Sequence, residues 1–501
     1  MTDAPAQTIS QAPGAAHPAR PWSKRFQLAA LSAALDRHPF RIFAALFVWF
    51  LLTALIRYHR LIPAWFTADE VDILAHVDGR GLIDIFTGYD VSANNFVPLL
   101  LVSLKLDWAI FEWWIPGYRL HSIVSASIAA MMIVALLRRW CAWPTAVLAG
   151  FVFLLSVDTA ALIGYTASRH YLEGLIPAIG AIILTLRYLD RGGPTPLLGA
   201  IACYFAATLF KEIYAPLPAL LLVLPGVRLP RRALLLGAFA LPAAAYFVYR
   251  RAMMGQFVGG YGGGQYDPFE IARYLVSAWP QFTGWMIYGT ARWAWWLPIP
   301  INALLLWTLC RAARSSGLLA ASYLMCLAVA IGPVSLVLGT PQVNFIEAAS
   351  HYCQRFTFPA FVVILLWGAW ALERLDRRVA LIALTLLLMV GLNNTSRQIR
   401  SWIHDGRTTQ ASARAFESWW DRKAVYAADV PRQLHLGLIK IWSRRAEAPP
   451  THTARVIPAW PGAISSEDPI LQEADIVFVE SLYDGVRQLG REEFLAKYAS
   501  P

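Results

Sequence analysis

The feature that most constrains this chain is a recurrence of apolar runs close to 20 residues long, separated by short arginine clusters. A hydrocarbon core of about 30 Å needs about 20 apolar helical residues to cross it, so each run reads as a membrane span. The first runs from Phe40 to Ile56. With 57% hydrophobic and 15% charged residues and a mean hydropathy of +0.47, the composition lies outside that of soluble globular chains. The formal charge of +11 would suit nucleic acid in a soluble protein. Here it sits in Arg138/Arg139, Arg187/Arg191, Arg228/Arg231/Arg232, Arg311/Arg314 and Arg374/Arg377/Arg378, between apolar runs, where it orients the chain; nucleic acid is not an expected partner. The five cysteines, Cys141, Cys203, Cys310, Cys326 and Cys353, lack metal-ligand spacing and read as free thiols.

The positive-inside rule then divides the chain. Residues 1–38 form a cytoplasmic tail with a basic interfacial segment, 39–395 a transmembrane domain, and 396–501 a soluble extracytoplasmic tail. Within the membrane domain, residues 57–117 make the first extracytoplasmic loop. Phe96 to Trp114 is long enough to span, but doing so would invert every later basic cluster, so it reads as one or two interfacial helices anchored by Trp108, Trp113 and Trp114. Further spans fall near 118–137, 143–164, 171–188, 196–210, 212–225, 233–250, 293–310, 317–339, 355–373 and 379–395, about 11 in all. The pair 196–225 is short and places Lys211 and Glu212 at a sunken hairpin apex. The glycine-rich GGYGGGQYDP segment has no GK[ST] after it and no strand before it, so it reads as a connector or substrate loop rather than a nucleotide loop. The tail carries a helical TTQASARAFESWWDRK, strand-like KAVYAADV and ADIVFVESL, and a final helical VRQLGREEFLAKY, which make a small α/β domain. The fold class is thus an all-α polytopic membrane protein with a small C-terminal α/β domain.

The unusual charged residues fall at the outer ends of spans, on one side: Asp69/Glu70/Asp72, Lys105, Arg169/His170/Glu173, Lys211/Glu212 and His351/Arg355. Taken singly, each suits a snorkelling interfacial residue; taken together, with both signs on one face, they suit a cavity. Carboxylates and cations at a membrane face fit the transfer of a group from a lipid phosphate to a hydroxyl. A carboxylate takes the acceptor's proton while Arg and Lys stabilise the departing phosphate. Asp69, Glu70 and Asp72 also offer hard oxygen ligands to a divalent cation such as Mg²⁺, Mn²⁺ or Ca²⁺, without forming a diagnostic cage. No other cofactor is expected.

An acidic DE pair after a basic-flanked first helix, then interfacial helices, many spans and a soluble tail, resembles the GT-C superfamily of polyprenyl-phosphate-sugar glycosyltransferases. Among its branches the chain looks most like the bacterial relatives of protein O-mannosyltransferases and of the lipid A aminoarabinose transferase. ADEVDIL is similar to the family's DE-containing motif, and SRHY at 168–171 and FKE at 210–212 resemble its basic positions. HYCQRFTFP at 351–359 looks like the Arg-aromatic-x-x-Pro motif that opens a late helix. The resemblance implies Asp69 as catalytic carboxylate, with Glu70 supporting the site or a metal. Phosphate and substrate contacts then fall to Lys105, Arg169, His170, Lys211, Glu212, His351, Tyr352 and Arg355. It implies a polyprenyl-phosphate-linked sugar donor, a glycan, lipid or protein acceptor, and a multi-pass enzyme of the bacterial inner membrane whose site faces the periplasm. Two other readings stand beside it: a lipid-linked glycan polymerase or ligase, and a transporter or flippase, which would carry charges near the midplane in two related halves.

The topology makes residues 57–117 and the tail after 396 face the same, extracytoplasmic side. Single cysteines introduced in each segment are expected to react with an impermeant maleimide on intact cells; labelling of only one would overturn the span count.

Overall fold

In the computed structural model the described residues are 39–87, 96–223, 229–255, 257, isolated positions between 303 and 314, 354–418, 423–428, 455–458, 464–465, 467, 469–472, 476–482 and 485–500. The chain divides into two compact units, Met1–Leu46 and Phe47–Pro501. Of the first, only the opening of helix α1 (Pro39–Tyr58) is described. At about 1.5 Å per residue this helix matches the apolar thickness of a bilayer, and proline at its start loses no helical hydrogen bond. In the second unit Phe50, Ala54 and Tyr58 recur at four-residue spacing with no exposure, while Trp49, Leu52 and Ile56 are more than half exposed. One stripe packs inward, and the other presents the apolar surface that lipid covers.

Helices α2 (Ala68–Asp78), α3 (Leu82–Thr87) and α4 (Pro98–Phe111) follow, all too short to cross. The chain leaves α4 through Glu112, whose φ of 45° is a left-handed conformation uncommon for a side-chain-bearing residue. It then enters α5 (Ile115–Leu137), where buried Ser122, Ala126, Ala129, Ala130 and Ile133 let neighbouring helices approach closely. Helices α6 (Trp143–Leu154) and α7 (Val157–Gly164) follow. A 3-10 turn (Thr166–Ser168) leads into α8 (Arg169–Arg191), then α9 (Pro194–Phe210), α10 (Leu229–Met254), α11 (Gln354–Leu375) and α12 (Arg377–Ser418). Among the described residues six helices are long and apolar enough to cross a membrane, or seven if α6 and α7 count as one span. This is a predominantly helical, multi-pass membrane protein.

Three expectations are corrected. The run 143–164 is not one straight span: α6 and α7 meet at 46°. Ser156 caps the second piece by accepting from the Thr159 amide at 3.1 Å, and the Leu155 carbonyl accepts from Thr395 at 2.8 Å. The described part of the run expected at 212–225 forms 3-10 turns, Glu212–Tyr214 and Leu217–Val223, instead of an α-helix. Pro216 and Pro218 remove the amide donors that an α-ladder would need there. The helix expected to end at 395 runs on unbroken, as α12, from Arg377 to Ser418. The spans expected at 293–310 and 317–339 lie outside the described residues, save for isolated helical positions up to 314.

At the end of α5 away from α2, Arg139 forms a two-pronged pair with Asp190 at 2.6 and 2.7 Å, joining α5 to α8. Glu373 likewise ties the start of α6 to α11, accepting from Ala142 N–H and Thr145, while Arg377 bonds it at 2.8 Å. The clusters at 138–139, 187–191 and 374–378 thus lie at one end of the bundle, and α2, bound to the start of α5, lies at the other.

Beyond α12, strands β1 (Lys423–Ala428), β2 (Arg455–Pro458), β3 (Ile464–Ser465), β4 (Ile476–Leu482) and β5 (Gly485–Leu489) precede helix α13 (Arg491–Tyr498) and strand β6 (Ala499–Ser500). The main sheet is ordered β2-β1-β4-β5, with β1 parallel to both neighbours and β5 antiparallel to β4. The last segment, expected as one helix, is a strand and then a helix, because Val486, Gln488 and their neighbours pair with β4. Ala413 of α12 and Val477 of β4 share a core with Phe66, Val71 and Leu74, so the tail packs at the acidic end.

Helix α12 comes very close to the chain before α2. A β-carbon added at Gly406 would lie 2.7 Å from the Trp65 carbonyl oxygen. Backbone cannot swing aside, so Gly406→Ala is expected to cost about 1–3 kcal/mol and to lower the apparent Tm of the detergent-solubilised chain. Gly368→Ala, where a β-carbon meets nothing within 4 Å, is the control and is expected to hold or raise it.

Candidate active site

The acidic helix is bolted in place by its third residue. Glu70 accepts from the Thr67 amide at 2.6 Å, one half of a capping box. Arg119, at the start of α5, grips the same carboxylate with Nη1 at 2.8 Å from Oε1 and Nη2 at 3.2 Å from Oε2. The Thr166 amide donates to Oε1 as well. Arg119 further reaches Thr166 Oγ1 at 2.8 Å and the Trp65 carbonyl at 3.3 Å. Both charges are almost wholly buried. A bidentate pair with added donors is the arrangement that offsets desolvation of two ions.

Asp69, beside Glu70, has its backbone in the first turn of α2; its side chain lies outside the described residues. At the other end of α2, Lys105 donates to the Val77 and Asp78 carbonyls at 2.8 and 3.0 Å. Trp108 donates to Asp78 at 2.7 Å. A cation on the last carbonyls complements the helix dipole, and it holds Lys105 roughly 15 Å along the axis from Asp69. Buried Asp72 lies 3.7 Å from His76, whose Nδ1 also bonds the Asp72 carbonyl at 2.7 Å.

A second network joins α4, α5 and α8. Arg169, with no exposure, contacts Asp107 at 2.7 Å and Glu173 at 2.8 Å and donates to Ser103 at 2.8 Å. Ser103 donates to Glu173 at 2.9 Å. His121 bridges the two acids, Nδ1 donating to Asp107 at 2.7 Å and Nε2 lying 3.3 Å from Glu173. Arg169 is therefore committed to carboxylates on its own side of the bundle.

The third group is cationic. Lys211, nearly buried, lies 3.1 Å from Glu212 and over the Tyr171 ring. Arg250 of α10 is 3.8 Å from the same carboxylate. Arg355 lies over the rings of Tyr165 and Phe356. Lys211 and Arg355 both act electrostatically on His170, which also lies against the Ala167 backbone and is buried. His351 and Tyr352 lie outside the described residues. Tyr214 fastens the 3-10 turn to α8 by donating to the Tyr171 carbonyl.

An apolar cavity of about 290 Å³ lies in the bundle. Ile213, Tyr214 and Phe358, close in sequence to Lys211 and Arg355, line it. Leu136, Trp140, Leu186 and Trp370 line it toward the basic end. From Leu175 to Leu186 its wall extends about 16 Å along α8.

The structure thus gathers Glu70, Arg169, His170, Lys211, Glu212 and Arg355 at one end, and leaves Lys105 as a helix cap. Sequence reading passed over Arg119, Ser103, His121 and Arg250 as site members. Arg119, His121 and Arg250 carry a legible signal, ionisable residues inside apolar helices; Ser103 carries none. As for a divalent cation, both Glu70 oxygens are taken by Arg119 and amide donors, so Glu70 does not fit as a ligand. Among the described residues no group of three or more His, Cys, Asp or Glu side chains is arranged to hold a metal ion.

No family model matches the sequence, and no curated protein matches it. Among solved structures, the fold is similar to ArnT from Cupriavidus metallidurans in the apo state, at 14% identity over 81% of this chain and 85% of that one, with a TM-score of 0.48. It is also similar to ArnT from Cupriavidus metallidurans bound to undecaprenyl phosphate, at 14% identity over 84% and 86%, with a TM-score of 0.44.

Removing one partner of a buried ion pair strands the other. Arg119→Met is expected to cost about 3–5 kcal/mol in unfolding of the solubilised protein, and Arg119→Met/Glu70→Gln less than that. A double variant no more stable than the single one would show that Arg119 acts apart from Glu70.

Proposed function

We propose that this protein is a GT-C-type glycosyltransferase of the bacterial inner membrane, moving a sugar from a polyprenyl-phosphate donor to a hydroxyl acceptor on the periplasmic face. The observation that carries the reading is an apolar cavity whose wall includes Ile213, Tyr214 and Phe358, which follow Lys211 and Arg355 by two or three residues in the chain, together with the cluster of Lys211 and Arg355 around His170. A long apolar cavity with cations a short way along the chain from its wall is complementary to an amphiphile with a hydrocarbon tail and an anionic head. Each methylene taken out of water contributes about 0.8 kcal/mol, which favours a prenyl tail over a soluble nucleotide donor. Among the described residues Glu70, Arg119, Arg169 and His170 fall around the single Thr166–Glu173 stretch, which favours a transferase over a transporter with two related halves.

In this scheme Lys211 and Arg355 receive the donor phosphate, and His170 offers a ring N–H to one of its oxygens. Asp69 acts as general base. The acceptor oxygen attacks the anomeric carbon from the face opposite the phosphate and gives its proton to the Asp69 carboxylate. The new C–O bond forms as the bond to the phosphate oxygen breaks, and the electron pair leaves with polyprenyl phosphate. One displacement inverts the anomeric centre. The cations then stabilise the charge that grows on the leaving group. Glu70 holds Asp69 in place through α2 and does not itself take the proton, because its oxygens are already accepting from Arg119, Thr67 and Thr166.

Asp69→Asn keeps size and removes the base, so turnover is expected to fall by about 10² or more while donor binding is retained. Retained turnover, or a product with the donor's own anomeric configuration by NMR, would overturn the scheme.

A further inference from the structure

Tyr165 and Trp402 stack, with ring centroids 5.4 Å apart and planes within 10°. Trp402 belongs to α12 and is 1% exposed, the largest fully buried side chain among the described residues. A glycine at 164 makes room for it, since a β-carbon there would lie 2.3 Å from the indole. Tyr165 is in turn the ring over which Arg355 lies, 5.5 Å from guanidinium carbon to centroid. Its neighbour Thr166 donates to Glu70. Thr395, two turns earlier on α12, and Gly406, one turn later, fix the same helix against Leu155 and Trp65. The helix that carries the tail thus presses one indole against the short stretch that meets both the acid and a cation of the site.

We propose that Trp402 is a positioning residue for the donor-phosphate site, setting Arg355 through the Tyr165 ring. This rests on the reading of Arg355 as a phosphate ligand. A cation held over an aromatic face keeps its direction only if the ring cannot tilt, and a parallel partner ring resists tilting. Ordinary core packing would also bury an indole, but it would not couple that indole to binding of an anion by another residue.

The test is a double-mutant cycle on the full chain in detergent micelles, with undecaprenyl phosphate as probe and Kd read by thermophoresis. Trp402→Met keeps apolar volume and removes the ring. It is expected to weaken binding roughly tenfold, the upper range for a lost aromatic pair, while Trp402→Phe restores most of it. In an Arg355→Ala background Trp402→Met should change Kd by less than about twofold, because the residue it acts through is gone. If Arg355→Ala weakens binding and the two losses simply add, or Trp402→Met leaves Kd unchanged, Trp402 is a packing residue alone and the proposal falls. If Arg355→Ala itself leaves Kd unchanged, the reading of Arg355 fails first and takes the proposal with it. Should Trp402→Met not extract as a monodisperse species, Tyr165→Met enters the same cycle with the same outcomes.

Discussion

Charge withdrawn from water must be answered close by, and here the answer converges on one short stretch, Thr166 to Glu173. The Thr166 amide completes the shell of Glu70, Arg169 pairs with Asp107 and Glu173, and His170 feels Lys211 and Arg355. Each buried ion carries a desolvation penalty of several kcal/mol, offset only when partners are held at hydrogen-bond distance. Helices α2, α4, α5 and α11 are each referred to this segment by such a contact or by proximity to one. Moving it by an ångström would leave several buried charges short of a partner at once.

The same stretch separates two kinds of chemistry. On one side lies the acidic helix, held from both ends by Glu70 and Lys105. On the other lie Lys211 over the Tyr171 ring and Arg355 over the Tyr165 ring. A displacement needs its base and its leaving-group stabiliser on opposite sides of the reacting carbon. A rigid segment between the two groups is one way to keep them apart. Helix α12 adds a third constraint, because it continues from the membrane domain into the tail and packs Trp402 under Tyr165.

Several residues of the candidate site can be picked out in the sequence because polar residues in apolar helices stand out. Arg169, His170, Lys211, Glu212 and Arg355 are visible against their surroundings in the sequence, and so is the DE pair. Their roles were less legible. Lys105 reads as a phosphate ligand by charge and side, yet its ammonium is spent on two carbonyls at the end of α2. Glu70 reads as a twin of Asp69, yet its partner Arg119 lies far along the chain and is brought to it only by the packing of α5. Ser103 and Trp402 gave no sign, since a serine or tryptophan in a membrane helix is unexceptional until its neighbours are known.

The sequence by itself determined that the chain crosses a membrane repeatedly, where several of its helices begin and end, and which end collects the basic residues. These follow from local quantities, the length and polarity of a run and the charge beside it. Tertiary structure alone decided that 143–164 bends, that the described part of 212–225 winds as 3-10 turns, that α12 runs on to Ser418, and which carboxylate is bolted down. Those outcomes depend on partners distant in the chain. The Leu155 carbonyl freed by the bend is met by Thr395, and Glu70 is met by Arg119 and Thr166. A hydrogen bond between segments far apart leaves no periodicity in either one.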